Sequence, residues 1–173
     1  RRGHGVQPGD VQVRDAEQHP LTFVGRNQAV FGLRELFAAV GLDPDRPFLL
    51  VTYHPATLGQ EPPELGMRSL FEALDERPDL QILITKPNAD AGGRGLSAMV
   101  DAYAQARPAR VVAVASLGHV LYLSAMRHCL AVVGNSSSGI VEAPAMPRPT
   151  VNIGPRQEGR LKATSIVACA GNS

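Results

Sequence analysis

The sequence predicts an α/β protein built on a doubly wound parallel sheet, and three observations predict it. Short, continuous apolar runs such as residues 48–53 alternate along the chain with segments whose apolar residues recur at helical spacing. The runs lack the polar alternation of a half-wet strand, so they belong to strands covered on both faces. Parallel strands need crossovers of roughly a dozen residues, and the helical segments between the runs supply them.

Each element follows from a local pattern. Residues 1–32 mix Gly, Pro, Gln, His and Arg without a sustained period, apart from the apolar stretch Leu21–Val24. They read as an irregular linker or remnant ahead of one domain over 33–173. Leu33, Leu36, Phe37 and Val40 stand at i, i+3, i+4 and i+7, and Gly41 follows where a helix would end in a left-handed cap. Residues 48–53, set between Pro47 and Pro55, form the first core strand. Met67, Leu70, Phe71 and Leu74 restore helical spacing until Pro78-Asp79 stops it, and 80–85 is again a strand. A helix bearing Leu96, Met99, Val100 and Tyr103 leads to a strand at 110–115, then a helix over about 119–128 and a strand at 130–133. A short helix follows Ser138, with strands at 150–153 and 165–169 completing the repeat.

Composition limits the function classes. The 173 residues are enough for one domain that buries about two thirds of its unfolded surface, with 44% hydrophobic and 19% charged residues. That usage excludes disorder, collagen and coiled coil. Seventeen Lys plus Arg against sixteen Asp plus Glu, with no long basic run, argues against nucleic acid. No apolar run approaches the roughly 20 residues of a membrane span. Cys129 and Cys169 lie outside any C-x-x-C pattern and no secretory leader opens the sequence, so a reducing, cytoplasmic setting is expected.

In open α/β sheets ligands bind beyond the carboxyl ends of the strands, so the residues following each strand carry the information. These are His54-Pro55, the run Lys86 to Gly93 with Asn88 and Asp90, Ser116-Leu117-Gly118, Gly134-Asn135-Ser136-Ser137-Ser138-Gly139, and Gly154-Pro155-Arg156-Gln157. The serine loop sets three hydroxyls and the amides of a helix N-terminus toward one point, as a phosphate requires, although serines there also serve simply as helix caps. Glu142, one turn on, could accept from two vicinal ribose hydroxyls or only complement the helix dipole. Arg156 and Arg160 offer planar guanidinium groups suited to phosphate, or are surface arginines. His54 could face an anion or move a proton near neutral pH, or be structural. Asn88 and Asp90 could equally close an Asx turn.

Other sites fail on spacing. The chain has no G-x-x-x-x-G-K-[ST] and no G-x-S-x-G, and its histidines are too scattered for a metal site. Gly93-Arg94-Gly95-Leu96-Ser97-Ala98 fits G-x-G-x-x-A but lies several residues beyond its strand, and the next strand ends without the acidic residue that would hold a ribose. No cofactor is expected.

Four motifs in one order carry a family resemblance: Leu50-Val51-Thr52-Tyr53-His54-Pro55, Pro87 to Gly92, Gly134 to Pro144, and Pro149 to Arg160. Over about residues 33–168 the chain resembles the C-terminal half of UDP-N-acetylglucosamine 2-epimerases, chiefly the hydrolysing branch that releases N-acetylmannosamine and UDP. The resemblance implies one Rossmann-like half of a GT-B type architecture, with UDP and UDP-N-acetylglucosamine as ligands and a homo-oligomer at full length. It implies that Ser136 and Ser137 bind the diphosphate, Glu142 the ribose and Arg156 a phosphate. His54 would face the leaving group as the catalytic candidate. Asn88 would also contact the nucleotide, and Asp90, Ser116, Ser138, Gln157 and Arg160 would line the cleft. The implied reaction is anti-elimination of UDP to a glucal followed by addition of water with inversion at C2. No counterpart of the family's N-terminal domain, which supplies acid and base at the sugar, is seen, and the family's last helices would lie beyond Ser173. The alternatives are the donor domain of a GT-B glycosyltransferase and a non-catalytic fragment. The run Arg156-Gln157-Glu158-Gly159-Arg160 favours the epimerase.

Overall fold

The computed structural model describes residues 21–24, 28–55, 62–87 and 93–171. In chain order the elements are β1 (Leu21–Val24), β2 (Gln28–Phe31), α1 (Leu33–Val40), β3 (Phe48–Thr52), α2 (Pro63–Asp75), β4 (Gln81–Thr85), α3 (Gly93–Gln105) and β5 (Val111–Val114). There follow α4 (Gly118–His128), β6 (Ala131–Gly134), α5 (Ser138–Ala145), β7 (Thr150–Ile153) and β8 (Ile166–Cys169), with a 3-10 turn at Pro155–Gln157. Six parallel strands form one sheet in the order β5-β4-β3-β6-β7-β8. The fold is the Rossmann-like, doubly wound class that the alternating pattern predicts.

The strands alternate their side chains between two apolar layers. On one face Phe48, Leu50 and Leu83 pack with Leu36 and Phe37 of α1 and with Leu121 and Met126 of α4. On the other, Val51, Ile82 and Ile84 meet Met67 and Leu70 of α2 and Leu96 and Val100 of α3. Helices on both faces explain why β4 is buried along its whole length and why its sequence shows no polar alternation. Gly41 ends α1 at φ +76°, donating its N–H to the Phe37 carbonyl at 2.8 Å, the left-handed cap expected there.

Residues 21–24 and 28–31 differ from the irregular reading, because β1 and β2 pair antiparallel as a two-stranded sheet. Four-residue strands are too short to show a period, and this pair is seated by α4. The Phe31 N–H donates to Ser124 Oγ at 2.7 Å, and His128 Nε2 lies 3.2 Å from the Phe31 carbonyl. Burial pushes the His128 pKa down, so the ring is neutral and its N–H donates to that carbonyl. Among the described residues no helix is long and apolar enough to cross a membrane.

At the amino edge of the sheet Asp75 gathers three donors, Tyr103 Oη at 2.8 Å, Arg110 Nη1 at 3.0 Å and the guanidinium of Arg107, tying α2 to α3 and to the start of β5. Partial burial works to raise the Asp75 pKa, but the hydrogen bonds outweigh it and the net shift is downward. The stabilisation is therefore fully present above the unfolded value of about 4 and is lost as pH falls through the lower folded value. Asp75→Asn should cost on the order of 1 kcal/mol at neutral pH, since the group is partly exposed, and should flatten the acid limb of a stability profile followed by urea unfolding. A variant with an unchanged acid limb would place the pH dependence elsewhere.

Candidate functional site

The topology places one crevice apart from the others. From β3 the chain runs outward through β4 to β5, and then returns so that β6 pairs with the other side of β3. Such a switch point opens a crevice between the carboxyl ends of the two central strands. Thr52 ends β3 level with Thr85 of β4 and Gly134 of β6, so the loops carrying His54 and the serines leave the sheet side by side.

Gly134 makes that closeness possible. It has φ +135°, and a Cβ built on it would fall on the Thr52 carbonyl, so no side chain fits between β3 and β6 at this level. Its successor, Asn135, is 2% exposed and organises the edge. The Asn135 N–H donates to the Thr52 carbonyl at 3.1 Å. Its side-chain amide pairs with the backbone of His54 in both directions, accepting from the N–H and donating to the carbonyl at 2.8 Å each. Its own carbonyl accepts from Arg156 Nη1 at 2.9 Å and from Gln157 Nε2 at 2.8 Å. Asn135 thus joins the loops after β3, β6 and β7. Sequence reasoning passed it over, although it stood inside the quoted serine motif, because the His54 backbone its side chain holds lies 81 residues away and the side chains on its carbonyl 21 and 22.

Arg156 reaches this point because Gly154, at φ +70°, turns the chain after β7 into the 3-10 turn. One guanidinium nitrogen is held by Asn135, and among the described residues the Arg156 charge has no salt-bridge partner. Lys86, just after β4, is paired with Asp101 at 2.6 Å. The edge therefore keeps an uncompensated guanidinium beside the positive end of α5.

The serine hydroxyls at the start of α5 bond chiefly to other hydroxyls. Ser137, at the N-cap, makes no side-chain cap hydrogen bond. Ser136 and Ser138 bond to one another through their hydroxyls at 2.8 Å, and Ser136 Oγ takes a long 3.4 Å bond from the Ser138 N–H. Behind them runs a line of hydroxyls, Ser138 to Tyr122 at 2.8 Å, Tyr122 to Thr52 at 3.3 Å and Thr52 to Thr85 at 2.6 Å. Further along the helix Glu142 is half-buried, and its Oε2 is buried without a hydrogen-bond partner among the described residues, as is Gln157 Oε1. A buried acceptor without a donor is costly, so both atoms suit a ligand that brings hydroxyl or N–H groups.

Of the residues singled out from sequence, the structure joins Arg156, Gln157 and the His54 backbone through Asn135, and sets Ser136, Ser137, Ser138 and Glu142 on the adjoining loop and helix. Ser116 stands apart, at the end of the edge strand β5, where its Oγ accepts from the Gly118 N–H at 3.1 Å and so starts α4. Arg160 is exposed and makes no hydrogen bond to the cluster among the described residues. Asn88 and Asp90 lie outside the described residues. Gly93 and Gly95 fall within α3 itself rather than in a strand-to-helix turn. Burial pushes the Cys129 thiol up to about 12, so it carries no thiolate at neutral pH. No group of three or more His, Cys, Asp or Glu among the described residues is placed to hold a metal ion.

Residues 26–173 match the family model described as UDP-N-acetylglucosamine 2-epimerase. The chain is 34% identical over 142 residues to a GDP/UDP-N,N'-diacetylbacillosamine 2-epimerase (hydrolyzing) of Campylobacter jejuni, covering 82% of this chain and 37% of that protein. It is 28% identical to a UDP-N,N'-diacetylbacillosamine 2-epimerase (hydrolyzing) of Legionella pneumophila, covering 73% of this chain and 33% of the relative. The chain thus spans only about a third of the length of these relatives. Among solved structures, UDP-GlcNAc 2-epimerase from Methanocaldococcus jannaschii superimposes with a TM-score of 0.59 at 16% identity, over 81% of this chain and 39% of that one. ADP-heptose heptosyltransferase II of E. coli gives 0.59 at 17% identity over 83% of this chain and 45% of that one, a likeness of fold alone.

Proposed function

Because the chain belongs to the UDP-N-acetylglucosamine 2-epimerase family, in its hydrolysing branch, we propose that it is the UDP-holding half of a hydrolysing 2-epimerase. The observation that carries this reading is the switch point itself, where a serine loop, a guanidinium and a buried carboxylate oxygen share one edge, the last two having among the described residues no salt-bridge partner and no hydrogen-bond donor respectively. In this reading Ser136, Ser137 and the free N–H groups of Arg156 bind the diphosphate. Glu142 accepts from the ribose hydroxyls, and His54 faces the leaving group. Asn88 and Asp90 belong to the same cleft.

The chemistry follows from charge. As the bond from C1 to the diphosphate breaks, negative charge accumulates on the departing oxygens. Hydrogen bonds from hydroxyls and guanidinium to those oxygens strengthen at that moment, so they accelerate elimination rather than merely tightening substrate binding. The acid and base that act at the sugar are assigned to the part of the protein outside this chain, so the chain alone should bind nucleotide without turnover.

The experiment is calorimetric titration of the chain with UDP. Saturable one-site binding that disappears when Ser136 and Ser137 are both changed to Ala supports the assignment, and no binding by a folded chain overturns it. Arg156→Ala should weaken UDP binding by about 1.5 to 3 kcal/mol, the range for a charge-assisted hydrogen bond, while leaving the unfolding midpoint nearly unchanged. Unchanged affinity would remove Arg156 from the site.

The substrate sugar has two candidates. UDP-N-acetylglucosamine, giving N-acetylmannosamine for a sialic-acid-type route, follows from the family, and a UDP-linked N,N'-diacetylated sugar follows from the relatives at 34% and 28% identity. Incubating the full-length protein with each and identifying the released sugar separates them.

A further inference from the structure

We infer that Tyr122 is a positioning residue for the diphosphate, orienting the serine hydroxyls through a line of five hydroxyl groups that ends at the loop. The inference rests on the UDP-binding reading above and adds a residue on a different helix. Tyr122 lies in α4, and its phenol oxygen sits 2.8 Å from Ser138 Oγ and 3.3 Å from Thr52 Oγ1. Ser138 in turn meets Ser136 at 2.8 Å. At the inner end Thr52 and Thr85, both buried, are 2.6 Å apart, and Thr85 Oγ1 lies 3.4 Å from the Val51 carbonyl.

A hydroxyl has one proton and two lone pairs, so a line of them can point either way. If the protons point inward, the line terminates on the Val51 carbonyl. Ser136 then gives its proton to Ser138 and turns lone pairs outward, which repels an anion. If they point outward, Thr85 donates to Thr52, Thr52 to Tyr122, Tyr122 to Ser138 and Ser138 to Ser136, and the Ser136 proton is free for a phosphate oxygen. The phenol is the most acidic member, hence the strongest donor, and it makes a shorter contact to Ser138 than to Thr52. It biases the line outward, and each donation polarises the next hydroxyl. An anion at Ser136 therefore sets every link in one sense, without heavy-atom movement.

The test uses Tyr122→Phe, which keeps the half-buried ring and removes only the hydroxyl. UDP, uridine and inorganic pyrophosphate are titrated into wild type, Tyr122→Phe, Ser138→Ala and the double variant. The expected result is that Tyr122→Phe weakens UDP and pyrophosphate about threefold to tenfold, the effect of one lost hydrogen bond, and leaves uridine unchanged. In the double variant the loss should be less than the product of the single losses, because Tyr122 acts through Ser138. Equal weakening of UDP and uridine would mean a general structural role and overturn the inference, as would unchanged UDP affinity or fully multiplicative losses. A wild-type chain that binds pyrophosphate and not UDP would overturn the nucleotide reading alone. Binding of neither would overturn both.

Discussion

Gly134→Ala is expected to destabilise the fold by more than about 4 kcal/mol, an exceptional loss for one methyl group and a large part of a typical domain's stability. Two effects combine. The residue has φ +135°, a conformation a side chain rarely adopts, and the added Cβ would occupy the space of the Thr52 carbonyl. Relief requires β6 to move away from β3, which breaks the central pairing of the sheet and the Asn135 bond to Thr52 together. Urea unfolding followed by circular dichroism measures the effect, with Gly159→Ala as the comparison. Gly159 also has a positive φ, +76°, but open space around its Cβ position, so it should lose only about 1 to 2 kcal/mol. Equal losses at the two positions would show that strain, and not the approach of β3 to β6, sets the requirement for glycine.

Asn135→Ala should lower stability by about 1 to 3 kcal/mol, because it removes the two hydrogen bonds its side chain makes to the His54 backbone, each worth about 0.5 to 1.5 kcal/mol. It should also weaken UDP binding at least about tenfold, or 1.4 kcal/mol, as the His54 loop loses its attachment to the serine loop. Asn135→Asp refines the result. Its carboxylate still accepts from the His54 N–H, but the second oxygen then faces the His54 carbonyl, and two acceptors repel. Protonation converts that oxygen to a donor, so the carboxyl pKa should be raised in the fold. The stability deficit of this variant should be small in acid, grow as pH rises above about 4, and be complete once pH passes the raised folded value. A deficit independent of pH would show that the amide is not engaged with His54 as described.

Much of this molecule was legible in its sequence. The doubly covered strands announced themselves as unbroken apolar runs, since a strand buried on both faces has no position for a polar residue. The helix at Leu33–Val40 and the strand at Thr150–Ile153 occupy the residues their patterns marked. Order of elements and the rule that ligands gather at strand carboxyl ends marked His54, the serine loop, Glu142 and Arg156 as candidates, and the structure sets them on neighbouring loops and the adjoining helix.

What the sequence by itself determined, then, was the repeat of strand and helix and the residue types at each loop, because both are set by neighbours a few positions away. Tertiary structure alone decided which loops meet. The pairing of β1 with β2 left no period in four-residue segments, of which only Leu21–Val24 stood out as apolar, and Phe31 of β2 is held by Ser124 and His128, 93 and 97 residues away. Ser116 and Ser136 looked alike as serines after strands, yet strand order put one at the sheet's edge as a helix start and the other at the switch point. Asn135 and Tyr122 gained their roles only when β6 returned beside β3 and laid α4 against the serine loop. Hydrogen bonds between residues 16 to 81 positions apart leave no period in a sequence, and they exist only once the sheet has fixed both ends.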